Sequence, residues 1–347
     1  MLPLNTSRKG VQAATGFTRV PLTPVFLAGG KSRVGGTFLL APLFTTTSIR
    51  ALVLICLLLA CACNSGRPTR DSSIATREIT DDASRRVSLP ERIDRVITLA
   101  PNLTEIVFAV GGGDRLVGNT TYCDYPAAAK AITKVGDSLQ PSLERIIALR
   151  PQVVLISTAS QLEVFTQQLH NQNIAVFVTD PHDLDGIFRS IEQIGQIVGR
   201  AEQAGALVKQ LRARTTAVEQ AVQNTKPVAV FYQVSGEPLY TVGKGAYLTD
   251  LIRRAGGVSV TADVPGAWPR YSNESALAAR PEAIILPTGG SMGAANSSVT
   301  EALRNSPAVL AGRVYRINDD HLARPGPRLI DGLEEMARAL HPEAFKQ

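Results

Sequence analysis

One pattern occurs twice in this chain, 130 residues apart, and it sets the architecture. Leu143 to Ile156 (LERIIALRPQVVLI) and Asn273 to Leu286 (NESALAARPEAIIL) each read as a short helix, an Arg-Pro break and an apolar strand. Pro151 and Pro281 end the helices, because proline lacks an amide donor and crowds the turn before it. The runs that follow are almost uninterrupted aliphatic residues, the composition of a strand covered on both faces. Glu144 and Glu274 stand at matching points, six residues ahead of Arg150 and Arg280. Two copies of one α/β unit predict two lobes related by a pseudo-two-fold axis, each with an acid on the same helix.

A chain of 347 residues is long enough to give each lobe a core. The net charge of +6 does not mark a nucleic-acid binder. Arg8, Lys9, Arg19, Lys31, Arg33 and Arg50 carry the whole excess, and the chain beyond residue 60 balances at 30 basic against 30 acidic residues. Such a body lacks the basic face that phosphate backbones require. Ala51 to Ala60 is an apolar run of about ten residues, too short to span a membrane and suited to a signal h-region. It meets Cys61 as Leu58, Leu59, Ala60, Cys61, an ending similar to a bacterial lipobox, so Cys61 is the expected lipidation site. Cys63 fits less well because Ala60 stands three residues before it. Residues 1–60 therefore read as leader and lipoprotein signal, with an n-region long enough to place the true start downstream of Met1. Residues 61–88, polar and poor in apolar side chains, read as a flexible tether. Cys61, Cys63 and Cys123 leave no disulfide framework.

The folded part divides into an N-terminal lobe over 89–182, a helical linker over 183–226 and a C-terminal lobe over 227–347. Strands are expected at Arg95 to Ala100, in RLVGNTTY and at Asn173 to Asp180, alternating with helices as in a parallel sheet. Gly111 to Gly113 read as a helix end, since neither GxGxxG nor GxxxxGK spacing is present. In the linker Leu184, Ile187, Phe188, Ile191, Ile194 and Val198 recur at helical spacing. A second helix from Ala201 to Gln223, at ~1.5 Å per residue, is about 35 Å long, enough to bridge two lobes rigidly. The C-terminal lobe opens with the strand Pro227 to Val234. It continues through helix YLTDLIRRAGG, strand Arg313 to Asn318, the loop DDHLARPGPR and a last helix with Pro327 in its first turn.

No catalytic set stands out. His170, His182, His321 and His341 show neither HxxxH nor HExxH spacing, no GxSxG elbow is present, and no metal site is expected. His321, beside Asp320 in a polar loop with Arg324 and Arg328, is the one histidine on which a tethered hydrolase could rest. Aromatics tell more: Tyr122 and Tyr125, Tyr240 and Tyr247, and Trp268 and Tyr271 fall in predicted loops. Flat side chains with a polar tip suit a large, partly polar ligand in a cleft. Glu144 and Glu274 have two compatible readings. They follow Ser142 and Ser272 as first-turn acids favoured by the helix dipole, and they are matched anions for arginines of a two-fold symmetric partner.

VITLAPNLTEIVFAVG, VGNTTYCDYP, SLERIIALRP, AWPRYSNE and DDHLARPGPR, in this order and spacing, resemble the class III substrate-binding proteins of ABC importers, and within them the cobalamin-binding branch. The likeness covers about Leu89 to His341. It implies an α/β fold of two Rossmann-like lobes with central parallel sheets, joined by a long rigid interdomain helix. It also implies a corrinoid such as cobalamin as transported ligand, with no catalytic cofactor and no enzymatic activity. Tyr122, Tyr240 and Trp268 are the implied pocket wall, and Asp320 and Arg324 the implied contacts from the last loop. Glu144 and Glu274 are the implied docking acids for a permease dimer with its ATPase. Ser138 and Thr158 stand where the branch has pocket tryptophans, and Ala255 and Ala337 where it has bridged cysteines. The implied protein is a monomer, lipid-anchored in the periplasm or on the outer face of the cytoplasmic membrane. Haem or a ferric siderophore is the alternative ligand within the same architecture, with Tyr122 or His321 able to ligate haem iron. A pure adhesion module is the remaining alternative.

Overall fold

The fold begins earlier than the sequence implies. The computed structural model describes residues 75–138, 140–157, 162–289 and 298–346, and in it β1 (Thr76–Thr80) and β2 (Arg86–Pro90) pair as an antiparallel hairpin. This corrects the tether expected to run to Ser88. Arg86 and Ser88 face water while Val87 and Leu89 are buried, so a segment that reads as polar still has one apolar face. A lone hairpin is marginal in water, and this one is tied to the body. The fully buried carboxylate of Asp81 accepts from Arg85 Nε and Nη2 at 3.0 and 2.6 Å, and the Asp82 amide donates to Val178 O at 3.1 Å. Arg77 Nη2 donates to Gln196 O at 2.7 Å. Asp81→Ala is expected to cost about 2 kcal/mol, because it strips a buried, charge-assisted set of bonds. A lower urea midpoint at unchanged m-value is the readout; an unmoved midpoint would show that the hairpin adds nothing to the body.

The first lobe runs through β3 (Val96–Thr98), α1 (Pro101–Ala109), β4 (Leu116–Asn119), α2 (Leu143–Ala148), β5 (Val153–Ser157), α3 (Leu162–His170) and β6 (Ala175–Thr179). Its four strands pair in the order β4-β3-β5-β6, all parallel. Pro101 opens α1 with a preset φ. Gly111 ends it in the left-handed region at φ +80°, its amide donating to Phe108 O at 2.9 Å, the helix end expected for this glycine run.

Two helices leave the lobe, α4 (Leu184–Ile197) and α5 (Ala201–Val222), and Leu184, Ile187, Phe188, Ile191, Ile194 and Val198 are all buried. At 22 residues α5 is about 33 Å long.

The second lobe contains β7 (Val228–Gly236), β8 (Leu239–Thr241), α6 (Tyr247–Arg254), β9 (Gly257–Ser259), α7 (Asn273–Ala278), β10 (Ala283–Thr288), α8 (Pro307–Leu310), β11 (Val314–Asn318), α9 (Asp319–Leu322) and α10 (Leu329–Leu340). Strands β11, β10 and β7 run parallel; β9 pairs parallel with the start of β7 and β8 antiparallel with its end. Two local expectations are corrected. The DDHLARPGPR loop contains a helical turn, α9, capped by Asn318, whose side chain accepts from the Asp320 amide at 2.9 Å. Pro327 precedes α10, whose N-terminal cap is Arg328.

The repeat folds as a repeat. Ser142 and Ser272 cap α2 and α7, accepting from the amides of Arg145 and Ser275 at 3.3 and 3.0 Å. Arg150 and Arg280 turn the chain at φ 44° and 45°, a conformation usually left to glycine at a helix end. In β5, Val154 and Ile156 pack outward against Ile146 of α2; in β10, Ile284 and Leu286 pack outward against Ala276 of α7. The alternate residues Val153, Leu155, Ala283 and Ile285 enter one inner core shared with α4, α5 and α10. The two sheets stay separate, and this common core holds them to the helical strut.

Candidate functional site

On the first lobe, the loop after β4 is shaped by a lysine turned inward. Lys134 Nζ donates to Asn119 Oδ1 and to the carbonyls of Cys123 and Ala129 at 2.8, 3.0 and 3.2 Å. Burial pulls its pKa down, against the attraction of Cys123 and Asp124. Thr120 Oγ1 lies 3.1 Å from Cys123 Sγ and 3.4 Å from Ser138 Oγ, so Ser138 is tied to the loop through Thr120. The loop displays Tyr122 and Tyr125, 39% and 45% exposed. Thr158 lies outside the described residues, as does Cys61.

On the second lobe, the segment around Trp268 is laid along β8: Gly243 donates to Ala267 O at 3.0 Å and Thr241 to Pro269 O at 3.2 Å, and Tyr240 bridges Arg270. Trp268, 46% exposed, meets the Tyr247 ring edge-on at 5.8 Å. Tyr247 is a core residue, its hydroxyl donating to Leu322 O at 2.9 Å, and burial, then Asp319, drives its pKa far up. Tyr240 is half-buried.

Two arginines of the last loop connect these walls. Arg324 Nη1 donates to Asp124 Oδ1 and Nη2 to Asp320 Oδ1, both at 2.9 Å, with only 3% of its side chain exposed. Arg328 is held by the buried Glu105 of α1. Burial disfavours its charge, but Glu105 more than offsets this and raises its pKa. The Arg324–Asp124 pair thus ties the loop that carries Tyr122 and Tyr125 to the last loop, 200 residues away in the chain, and the Tyr247 hydroxyl ties the ring that packs on Trp268 to Leu322 of the same region. Asp124, Glu105 and Arg328 were not among the expected site residues. One signal was present: an acid inside the apolar helix PNLTEIVFAV needs a cation once buried.

His321 Nδ1 lies 2.8 Å from Glu335 Oε1, while Asp320 pairs with Arg324. The histidine and the carboxylate on which a hydrolase rested thus each have another partner, Glu335 and Arg324. Among the described residues no cluster of His, Cys, Asp or Glu could hold a metal ion, and no helix is long and apolar enough to cross a membrane.

Glu144 and Glu274 project from the first turns of α2 and α7, both exposed and, among the described residues, without an ion pair. Beside Glu274 a polar groove of about 920 Å³ is lined by Arg270, Ser272, Thr300, Glu301 and Arg304.

Residues 96–321 match the family described as periplasmic binding protein. An uncharacterized ABC transporter substrate-binding lipoprotein of Bacillus subtilis strain 168, YvrC, is 31% identical over 310 residues, covering 86% of this chain and 97% of the relative. The vitamin B12 binding protein BtuF of Vibrio cholerae superposes with a TM-score of 0.64 at 27% identity, over 74% of this chain and all of BtuF. The haem-binding protein BhuT, solved with two haems, superposes at 0.63 with 26% identity, over 71% of this chain and 98% of BhuT. By its matched span, its two Rossmann-like lobes and its rigid helical strut, the chain belongs to the periplasmic binding protein family, in the class III form of ABC-importer substrate-binding proteins.

Proposed function

We propose that this protein is a lipid-anchored receptor that captures cobalamin or a related corrinoid between its lobes and hands it to an ABC importer. The observation that carries the reading is the set of exposed aromatics, Tyr122 and Tyr125 on one lobe and Trp268 on the other, with the first-lobe loop tied to the last loop by the Asp124–Arg324–Asp320 bridge and Trp268 packed on Tyr247, whose hydroxyl donates to Leu322 O of that region. Large aromatics left in water on loops of both lobes want a flat apolar guest. A corrin ring offers two broad faces and a rim of amides, and Tyr240 and Asp320 supply polar groups for such a rim. The acyl anchor is assigned to Cys61, in keeping with the lipoprotein name of the Bacillus relative. A permease dimer, meeting Glu144 and Glu274, is the assigned partner, and the receptor works as a monomer.

Calorimetry on Ser72–Gln347 with cyanocobalamin, haem and a ferric siderophore tests this. Cyanocobalamin is expected to bind one to one, and Trp268→Ala to weaken it about 10-fold, the order of one well-stacked aromatic face. Absence of heat with every corrinoid ends the cobalamin reading. One observation favours haem as second reading: BhuT is a haem binder of the same fold, and Tyr122, 39% exposed on its loop, carries a phenol of the kind that ligates haem iron. A Soret band shift on haem titration, lost in Tyr122→Phe, would transfer the function to that ligand.

A further inference from the structure

We infer that Tyr125 is a ligand-stacking residue and that Glu105 and Arg328 form the clasp that sets its ring, so that one arginine fixes both the register of the lobes and an aromatic platform. This rests on the proposed capture of a flat macrocycle in the cleft.

Arg328 belongs to the second lobe and reaches into the first. Its Nε and Nη2 donate to Glu105 Oε2 at 3.0 and 2.8 Å, and its amide lies 3.3 Å from Oε1. The Glu105 side chain is 2% exposed, so its charge has lost almost all contact with water. One residue pair further along the same seam, Asn102 Nδ2 donates to Pro325 O at 3.4 Å. The guanidinium then lies 3.8 Å from the centroid of the Tyr125 ring, a stacking distance.

The energies rank in one direction. Uncoupling a buried, doubly bonded carboxylate from its arginine costs several times what an exposed cation–π stack contributes. The position of Arg328 is therefore dictated by Glu105, and the Tyr125 ring follows the arginine. With one face against the guanidinium the ring is still 45% exposed, which leaves its remaining surface to a guest. A ring held from behind has already lost its rotamer freedom, so stacking on it costs less entropy. Arg328 is thus a positioning residue, and Tyr125 the group that touches ligand.

The test is a double-mutant cycle on the full chain, read as affinity for cyanocobalamin and, in parallel, for haem. Tyr125→Ala is expected to weaken binding about 10-fold and Tyr125→Phe less than about 2-fold, because the ring and not the hydroxyl is used. The neutral clasp Glu105→Gln with Arg328→Gln is expected to weaken binding by a similar factor, yet to add less than about 2-fold in the Tyr125→Ala background. Arg328→Lys covers the case in which the neutral clasp does not fold. It keeps a charge for Glu105 but loses the planar stack, so the same loss is expected, again absent without Tyr125. If wild type binds and Tyr125→Ala binds equally well, or if the two losses multiply, this inference is overturned while the corrinoid or haem role stands. If wild type binds neither probe, both readings fall together.

Discussion

Glu144→Arg combined with Glu274→Arg is expected to reduce cellular uptake of labelled cyanocobalamin to background while leaving its affinity within roughly 2-fold of wild type. The two positions are equivalent in the fold: each is the second residue of a six-residue helix, behind a serine cap, on the outer layer of its own lobe. The helices do not depend on the acids, because Ser142 and Ser272 supply the caps and the dipole term lost is only about 0.3–1 kcal/mol each. Neither acid has an intramolecular partner among the described residues, so reversal disrupts nothing within the lobes. A two-fold symmetric partner must meet both acids at once, and two like-charge contacts then oppose the encounter. Each single reversal should leave partial uptake. Normal uptake by the double variant would remove the docking assignment.

Arg254→Met is expected to destabilise the folded unit by about 3 kcal/mol, roughly 6–10 °C in Tm. The Arg254 side chain is 15% exposed and meets three carboxylates on three helices: Asp250 of α6 at 2.8 Å, Glu219 of α5 at 2.8 Å and Asp185 of α4 at 2.9 Å. Asp250 also accepts from the Leu184 amide at 3.2 Å, where the linker begins. Removing the cation leaves three acids facing one another, at the joint between strut and second lobe. Asp185 and Glu219 are partly exposed, which keeps the cost at the lower end for a broken buried pair.

The pH dependence of that loss has a definite sign. For Asp250, burial raises the pKa but the bonds from Arg254 and Arg253 more than reverse it. For Asp185, the bond from Arg212 leads the lowering, and Arg254 adds to it. Both carboxylates therefore titrate lower folded than unfolded. Their contribution is complete above the unfolded carboxylate pKa, near 4, and disappears as pH falls through the folded values. The wild-type advantage over Arg254→Met should be constant from pH 7 to about 5 and shrink below about 4. A gap that persists unchanged into acid would show that the arginine acts by packing alone.

What could be read from sequence was whatever is local. The Arg-Pro breaks, the serine caps and the period of Leu184 to Val198 are set within one or two helical turns, and the folded chain keeps them. The hairpin over 76–90 was hidden because only Val87 and Leu89 of β2 mark its buried face, and its anchor, Val178, lies almost a hundred residues away. The site was half legible for the same reason. Tyr122 and Trp268 are exposed where a loop was expected, but nothing local separates Trp268 from the buried Tyr247 against which it packs. Asp320 and Arg324 pointed to the last loop. That Arg324 is turned inward onto Asp124, and that Glu105 waits for Arg328, depends on two lobes closing over each other.

The most direct test of the central claim is a crystal structure of the protein grown with cyanocobalamin. The corrin ring is predicted between Tyr122 and Tyr125 on one side and Trp268 on the other, above the Asp124–Arg324–Asp320 bridge. A corrinoid seated in the groove beside Glu274, or a cleft that excludes it at saturating concentration, would contradict the account.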